Sequence, residues 1–428
     1  MPYRHPWTIT APGCVAGWAE LAAKLGNLPL ATSLGPAVEL ASKGFPVSPE
    51  LADSLSRLTA MIGEQDSAAA LYPGGSAPSA GDTIRRGDLA TTLSAIADAG
   101  PAAFYQGRVA DAIVAATAGG LTAADMAAAT VDWVDPIGID VFGLTGWTVP
   151  PNTQGYLTLA ALWLFEKLGP PKDPADPRYA HAAIEAYRAV AWERDDLVAD
   201  PDTAPLDPAE LLSPTRLAGH LGSLSMDGVA AWPTPTPAPG GTAYMCTRDA
   251  SGVGVSLIQS NFDGIGAGIS ADGTGIFLHN RGGGFNLNPG QPNELTPGRR
   301  PLHTLSPTIW TRGNELRMIL GTRGGQYQPQ LLIQLAAHLL YSDAPRALGQ
   351  PLPRWQVEGW QGGGSHVVQI EERTPPPIVE GLEERGHTVE RVADWNQGWG
   401  PMSVIGVDED GVYASVDPRV STSAALTR

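Results

Sequence analysis

Lysine is nearly missing from this chain of 428 residues, with only Lys24, Lys43, Lys167 and Lys172 present. Charge of either sign is sparse at 17%, where an average soluble domain carries about 25%. Forty-four acidic side chains outnumber 27 basic ones, the formal charge is −17, and no Lys/Arg cluster occurs. That balance argues against a nucleic-acid or anionic-membrane partner. Cysteine is scarce as well. Cys14 and Cys246 are too few for a disulfide framework and do not stand in CxxC spacing, so two reduced, mostly buried thiols are expected. No apolar run approaches the roughly 18 residues of a membrane helix. The N-terminal MPYRHPWTITAPGCVAGW has no uninterrupted apolar stretch of the signal-peptide kind, which makes a cytoplasmic location the default expectation.

Several chemistries are missing too. The histidines (His5, His181, His220, His279, His303, His338, His366 and His387) never fall at metal-ligand spacing, so no metal or other cofactor is expected. There is no GxSxG elbow and no GxxxxGK[ST] loop. The GIGAG at 264–268 lies in strand-like sequence without a following helix, which reads as a bulge or loop rather than a nucleotide site.

What the chain has is glycine and proline, 51 and 39 residues over its whole length, and through the first 230 positions they punctuate Ala/Leu-rich helices. Short helices are predicted from Val15 to Lys24 and from Pro36 to Lys43. Asp88 is expected to cap a helix running to about Asp98. PPNTQG at 150–155 reads as a turn entering the apolar helix LTLAALWLFEKLG, and Tyr179 to about Val198 reads as one long helix. WPTPTPAPGG at 232–241 has proline at four alternate positions, which favours an extended linker. Beyond it, TAYMCTRD and GVGVSLIQSN flank Ala250 and Ser251 as an antiparallel hairpin, with GTGIFLHN as a third strand. Gly324 and Gly325 precede the helix LLIQLAAHLLY.

Thr242 follows Gly241 directly after the linker, at the start of a strand. If the Gly241–Thr242 bond is cut, the Thr242 hydroxyl becomes a nucleophile with its own α-amino group as base. That amine's ordinary pKa of roughly 7.7–8 suits proton transfer near neutrality. By position alone, a threonine opening a strand is ordinary strand sequence. If Asp249 pairs with Gly252, Thr242 lies opposite Gln259, and a one-residue slip would bring the Ser260 hydroxyl to it.

GGTAYMCTRDASGVGVSLIQSN, GTGIFLHNRGGGF, PGRRPLHTLSP, GTRGGQ and ASVDPR resemble the small-subunit motifs of γ-glutamyltransferases, which are self-cleaving N-terminal-nucleophile (Ntn) hydrolases. PGCVAGW, DLATTLSAIADAGPAAFYQG, PPNTQG and the helix ending in DPD resemble the large subunit, so the likeness spans nearly the whole chain in order. It implies an α+β fold, a four-layer αββα sandwich. Residues 1–241 would form the large subunit and 242–428 the small one, together a single folded unit. It also implies that a first family region, with a strand and an arginine for the donor carboxylate, would lie before Met1. By the same resemblance Thr242 is the nucleophile, Ser260 its helper hydroxyl, and Gly324 and Gly325 the oxyanion donors.

The departures fall in the donor pocket. Arg281 and Gly284 stand where the family binds the donor's α-amino group, and a guanidinium there favours a carboxylate. His303 and Thr304 replace two carboxylate-binding serines, and Asn261 lies one position before the family's asparagine. A short stretch between Phe285 and Pro301 suggests an open site without a lid loop. The leading expectation is a γ-glutamyl (glutathione-like) amidohydrolase, resolved by water or an amine acceptor and acting on a small amide or peptide. An acylase for an acidic, glutaryl-like group and an uncleaved, inactive binding or incomplete protein are the alternatives.

Overall fold

The computed structural model describes residues 3–232, 241–357 and 367–427. Most of the linker expected at 232–241, and His366, lie outside the described residues. The described chain separates into two compact units, residues 1–133 with 261–283 and residues 134–260 with 284–428.

The first unit is helical. Helices Cys14–Leu25, Leu30–Lys43, Pro49–Ile62, Gly87–Ala99 and Arg108–Ala116 carry most of it. One apolar cluster joins Ile9, Val15, Ile96, Ile113, Met126 and Leu278, and a second joins Val47, Leu55, Ile62, Ile84 and Phe277. Asp88 lies in the first turn of its helix, while Arg86 occupies the cap position without a capping side-chain bond. The predicted third strand shrinks to Ile276–Phe277 paired with Ser270–Ala271. GIGAG is a loop, as its sequence suggests, with left-handed backbone at Gly264, Gly266 and Gly268. Both cysteines are free thiols. Cys14 is exposed at the start of its helix, against expectation, and Cys246 is half-buried.

The second unit is layered. In chain order its main strands are β1 (Ile137–Val141), β2 (Leu144–Thr148), β3 (Gly241–Arg248), β4 (Gly254–Phe262), β5 (Thr308–Arg312), β6 (Glu315–Thr322), β7 (Met402–Asp408) and β8 (Gly411–Val416). Six of them form one sheet in the order β8-β7-β6-β5-β2-β1, and β3 pairs with β4 as a separate hairpin. Helices α1 (Tyr156–Leu168), α2 (Pro177–Ala191) and α3 (Gln328–Leu340) cover one face. Helix α1 is apolar on nearly every side, as a helix sandwiched in a core must be, and stops at Gly169 in the left-handed conformation. Asp176 caps α2, accepting from the Arg178 amide, with Pro177 at the first helical position.

Side chains alternate across β6. Met318 and Leu320 enter the helical core with Trp310, Leu331 and Val404. Ile319 and Gly321 face the other way and meet the β3–β4 hairpin. A Cβ on Gly254 would lie 2.7 Å from Ile319, and one on Gly321 only 2.0 Å from the Tyr244 ring. Gly321 is thus the slot that lets β3 lie flat beside the end of β6. The helix expected over 179–198 ends at Ala191 and resumes only as Arg194–Leu197. That break turns the Arg194 side chain inward, where it is 2% exposed.

Filling the slot is therefore expected to unseat the hairpin. Gly321→Ala should lower stability by about 1–3 kcal/mol, the usual cost of overpacking, measured by chemical denaturation. Adding Tyr244→Leu should recover part of the loss; no recovery would mean that the ring is not the obstruction.

Candidate active site

The hairpin turn sets the register. The Asp249 amide donates to Val253 O (3.0 Å) and the Gly252 amide to Asp249 O (3.2 Å). Asp249 therefore faces Val253 rather than Gly252, the one-residue slip that places Thr242 opposite Ser260. The Thr242 hydroxyl donates to Ser260 Oγ at 3.2 Å, and Ser260 Oγ donates to the Gly241 carbonyl at 2.5 Å. One hydroxyl thus touches both the Thr242 hydroxyl and the carbonyl of the adjoining peptide bond. Tyr244, two residues along β3, seats on Gly321 and bonds Ser256 Oγ (2.9 Å), fixing the strand on its inner face.

Gly324 and Gly325 form the turn from β6 into α3. Their φ angles of 126° and 56° lie in backbone space that favours glycine. The turn is backed from behind. A Cβ on Gly400 would lie 2.2 Å from Arg323 O. Buried Arg354 donates to the carbonyls of Trp399 (2.9 Å) and Gly400 (2.7 Å). The charges are balanced within a buried network in which Arg354 pairs with Asp417, and Arg419 pairs with Asp417 and with Glu371 (2.6 Å).

His303 and Thr304 lie on the segment laced to the turn that precedes α1. The His303 amide donates to Asn152 O (2.7 Å), and the Gln154 amide donates to His303 O (3.0 Å). Thr304 is fully buried, and its hydroxyl has no hydrogen-bond partner among the described residues. Gly284 explains its own lack of a side chain, since a Cβ there would meet Leu302 O at 2.6 Å. Asn293 fastens the same place, donating to Gly284 O (2.5 Å) and accepting from the Leu302 amide (3.0 Å). A carboxylate at 284 would need this closure undone.

Sequence reasoning did not single out Gln154 or Asn293. Gln154 was visible only as part of a turn motif, and Asn293 carried no local signal.

Asn261 and Arg281 belong to the first unit. Asn261 is exposed, and its carbonyl accepts from the Asn280 amide (3.1 Å). Arg281 is 5% exposed, its guanidinium lies 4.5 Å from the Phe262 ring centre, and neither Nη atom has a hydrogen-bond partner among the described residues. Burial pulls its pKa down from 12.5 to about 9, still cationic at neutral pH. A buried cation is costly to hold without an anion beside it. His279 accepts from the Arg281 amide (3.0 Å), and burial, followed by the Arg281 charge, pushes its pKa down to about 4.

No cluster that could hold a metal occurs among the described residues, and no described helix is long and apolar enough to cross a membrane.

Residues 1–427 match the family described as gamma-glutamyltranspeptidase. The glutathione hydrolase-like YwrD proenzyme of Bacillus subtilis is 32% identical over 422 residues, covering 96% of this chain and 79% of that protein. An oxamate amidohydrolase proenzyme of Klebsiella pneumoniae is 30% identical over 437 residues, covering 99% and 82%. The crystal structure of a cephalosporin acylase from Bacillus halodurans superposes with a TM-score of 0.87 at 33% identity, covering 98% of this chain and 78% of that one. The layered Ntn-hydrolase fold that the family resemblance implies is borne out by this superposition.

His279 makes one consequence measurable. Its folded pKa lies below the unfolded value of about 6.5, so its contribution is complete above that pH and is lost as pH falls toward 4. The melting temperature should therefore drop between pH 6.5 and 4. His279→Asn, which keeps an acceptor but not the titration, should drop less; an identical profile would exclude His279 as the source.

Proposed function

The chain belongs to the γ-glutamyltranspeptidase family, and from that premise we propose that Thr242, released by self-cleavage after Gly241, is the nucleophile of its amide chemistry. The observation that carries this is the Ser260 hydroxyl, held between the Thr242 hydroxyl and the Gly241 carbonyl. In the uncut chain, Thr242 Oγ attacks the Gly241 carbonyl carbon while Ser260 donates to the carbonyl oxygen. The peptide C–N bond breaks, the Thr242 nitrogen takes up the hydroxyl proton, and Gly241 is left as an ester on Oγ. Water hydrolyses that ester, giving a Gly241 carboxylate and a Thr242 with both amine and hydroxyl free.

Turnover repeats the chemistry on a donor. The α-amine takes the Oγ proton, Oγ attacks the donor amide, and the amides of Gly324 and Gly325 receive the oxyanion. The leaving amine departs with the proton, and the acyl ester passes to water or an amine acceptor. His303 and Thr304 bind the donor's carboxylate end, a role the buried, unpartnered Thr304 hydroxyl suits. Asn261, exposed on the alternate side of β4 from Ser260, has less support for a binding role. The large and small subunits divide at 241/242, inside the second compact unit, so the two pieces stay associated after the cut.

Classical γ-glutamyl transfer or hydrolysis is the first reading of the donor. A second is favoured by Arg281: an acidic acyl group without an α-ammonium, of the kind implied by a relative named for oxamate hydrolysis. A guanidinium whose Nη atoms have no hydrogen-bond partner among the described residues attracts a carboxylate and repels an ammonium.

The purified chain is expected as pieces of 241 and 187 residues, with Thr242→Ala remaining whole and Ser260→Ala maturing at least about tenfold more slowly, the scale of losing one acid–base or polarising group. Intact mass over time decides it, and a Thr242→Ala protein that still divides after Gly241 would refute the assignment. For the donor, Arg281→Gln should raise kcat/KM for a γ-glutamyl anilide and lower it about tenfold or more for a glutaryl anilide, one charge-assisted contact being worth about 1.5–3 kcal/mol. Unchanged ratios would remove Arg281 from the pocket.

A further inference from the structure

Gln154 is fully buried at the turn entering α1, and every polar atom of its side chain is engaged. Its Nε2 donates to Thr304 O at 3.0 Å and Gly325 O at 3.2 Å, with Gln326 O at 3.4 Å. Its Oε1 accepts from Arg194 Nη1 at 3.4 Å, and Arg194 is in turn held by Asp195 at 2.7 Å. A carboxamide has only two N–H groups, and here they tie together two segments about twenty residues apart in sequence. One is the turn carrying Gly324 and Gly325, and the other is the segment carrying His303 and Thr304. A second glutamine closes the same joint, Gln328 Oε1 accepting from the Ser306 amide at 2.9 Å.

The turn needs such a fastening. Gly325 sits at φ 56° and, lacking a Cβ, has little steric resistance to rotating its peptide planes. Fixing its carbonyl fixes the plane that follows it, and with it the rotation of the residue whose amide faces the reaction. An oxyanion donor is effective only when held in place before the charge develops. Packing alone does not supply this. A methionine would fill the same space and leave the Thr304, Gly325 and Gln326 carbonyls without the buried donor they now share.

We propose that Gln154 is a positioning residue for the acyl-transfer reaction, holding the Gly324–Gly325 turn and the Thr304 segment in one fixed relation, with Arg194 setting the orientation of its amide. The inference rests on the reading of Gly324–Gly325 as the oxyanion donors. It also separates two steps of the protein's chemistry. In the proposed self-cleavage the Gly241 carbonyl is polarised by Ser260, which donates to it. Gln154 is therefore needed for turnover and dispensable for processing.

The test uses Gln154→Met, Gln154→Glu and Gly325→Ala, each made in the full chain and assayed with whichever of the γ-glutamyl and glutaryl anilides the parent turns over faster. Gln154→Met is expected to divide normally into its two pieces, melt within a few degrees of the parent, and lose about 10- to 100-fold in kcat, less than the full loss of one oxyanion donor. In Gln154→Glu the ionised carboxylate opposes the Thr304 and Gly325 carbonyls, whereas the protonated acid can donate to one of them. Its kcat relative to the parent should therefore rise as pH falls, a trend that a purely structural role would not produce.

A processed, folded Gln154→Met with kcat within twofold of the parent overturns the proposal. Should that variant not fold, a flat relative pH profile for Gln154→Glu overturns it instead. Gly325→Ala tells the two levels apart. If it keeps parental kcat, the oxyanion reading has failed. If it loses kcat while Gln154→Met does not, only the role of Gln154 has failed.

Discussion

The chemistry proposed for this chain depends on the register of one hairpin. With Asp249 facing Val253, Thr242 and Ser260 share a rung of the β3–β4 ladder and point to the same side. One residue either way, and the period of two along a strand would send the serine to the opposite face. The register is held at two points: the turn at 249–252, and, two residues along β3 from Thr242, the Tyr244 ring seated on Gly321. A side chain at 321 would disturb the active site without touching it.

Around that hairpin the second unit is arranged as a set of supports converging on a few backbone groups. Helices α1, α2 and α3 build the apolar base under the six-stranded sheet. The buried Arg354–Asp417–Arg419–Glu371 network presses the 399–400 segment against the end of β6. Gln154 and Gln328 fasten the turn from the other side. Buried ion networks of this kind are weak stabilisers in net terms, because desolvation offsets much of the attraction. What this one contributes is position, since the Trp399 and Gly400 carbonyls it holds belong to the segment that abuts the end of β6. Arg281 in the first unit is buried with neither Nη atom hydrogen-bonded among the described residues, and the second reading of the donor rests on that.

Much of this was legible in the sequence, for reasons that differ from residue to residue. Thr242 stood out as a candidate because it follows a proline-rich linker and a glycine and, above all, because family motifs follow it in order. Gly324 and Gly325 were singled out only through the family resemblance, since alone a glycine pair before a helix reads as a helix-entry turn. The partnership of Thr242 with Ser260 was only half legible. A two-residue turn gives the wrong rung, and the extra residue that corrects it is a property of the folded turn. Gln154 and Asn293 were not legible, because their roles are to hold carbonyls and amides distant in sequence, and no local pattern marks such a residue. Helix ends failed for a similar reason. The break after Ala191 leads to Arg194, whose inward turn toward Gln154 is a tertiary demand that the helical pattern through Val198 conceals.

The central claim is that the Thr242 hydroxyl carries the acyl group, and the most direct measurement is to catch it there. Purified protein mixed with donor amide and quenched in acid within the first turnover should contain a 187-residue piece heavier by one acyl group. Fragmentation should locate that mass on the N-terminal threonine. An acyl group found on any other residue, or a protein that turns over donor without a fragment beginning at Thr242, would contradict the account.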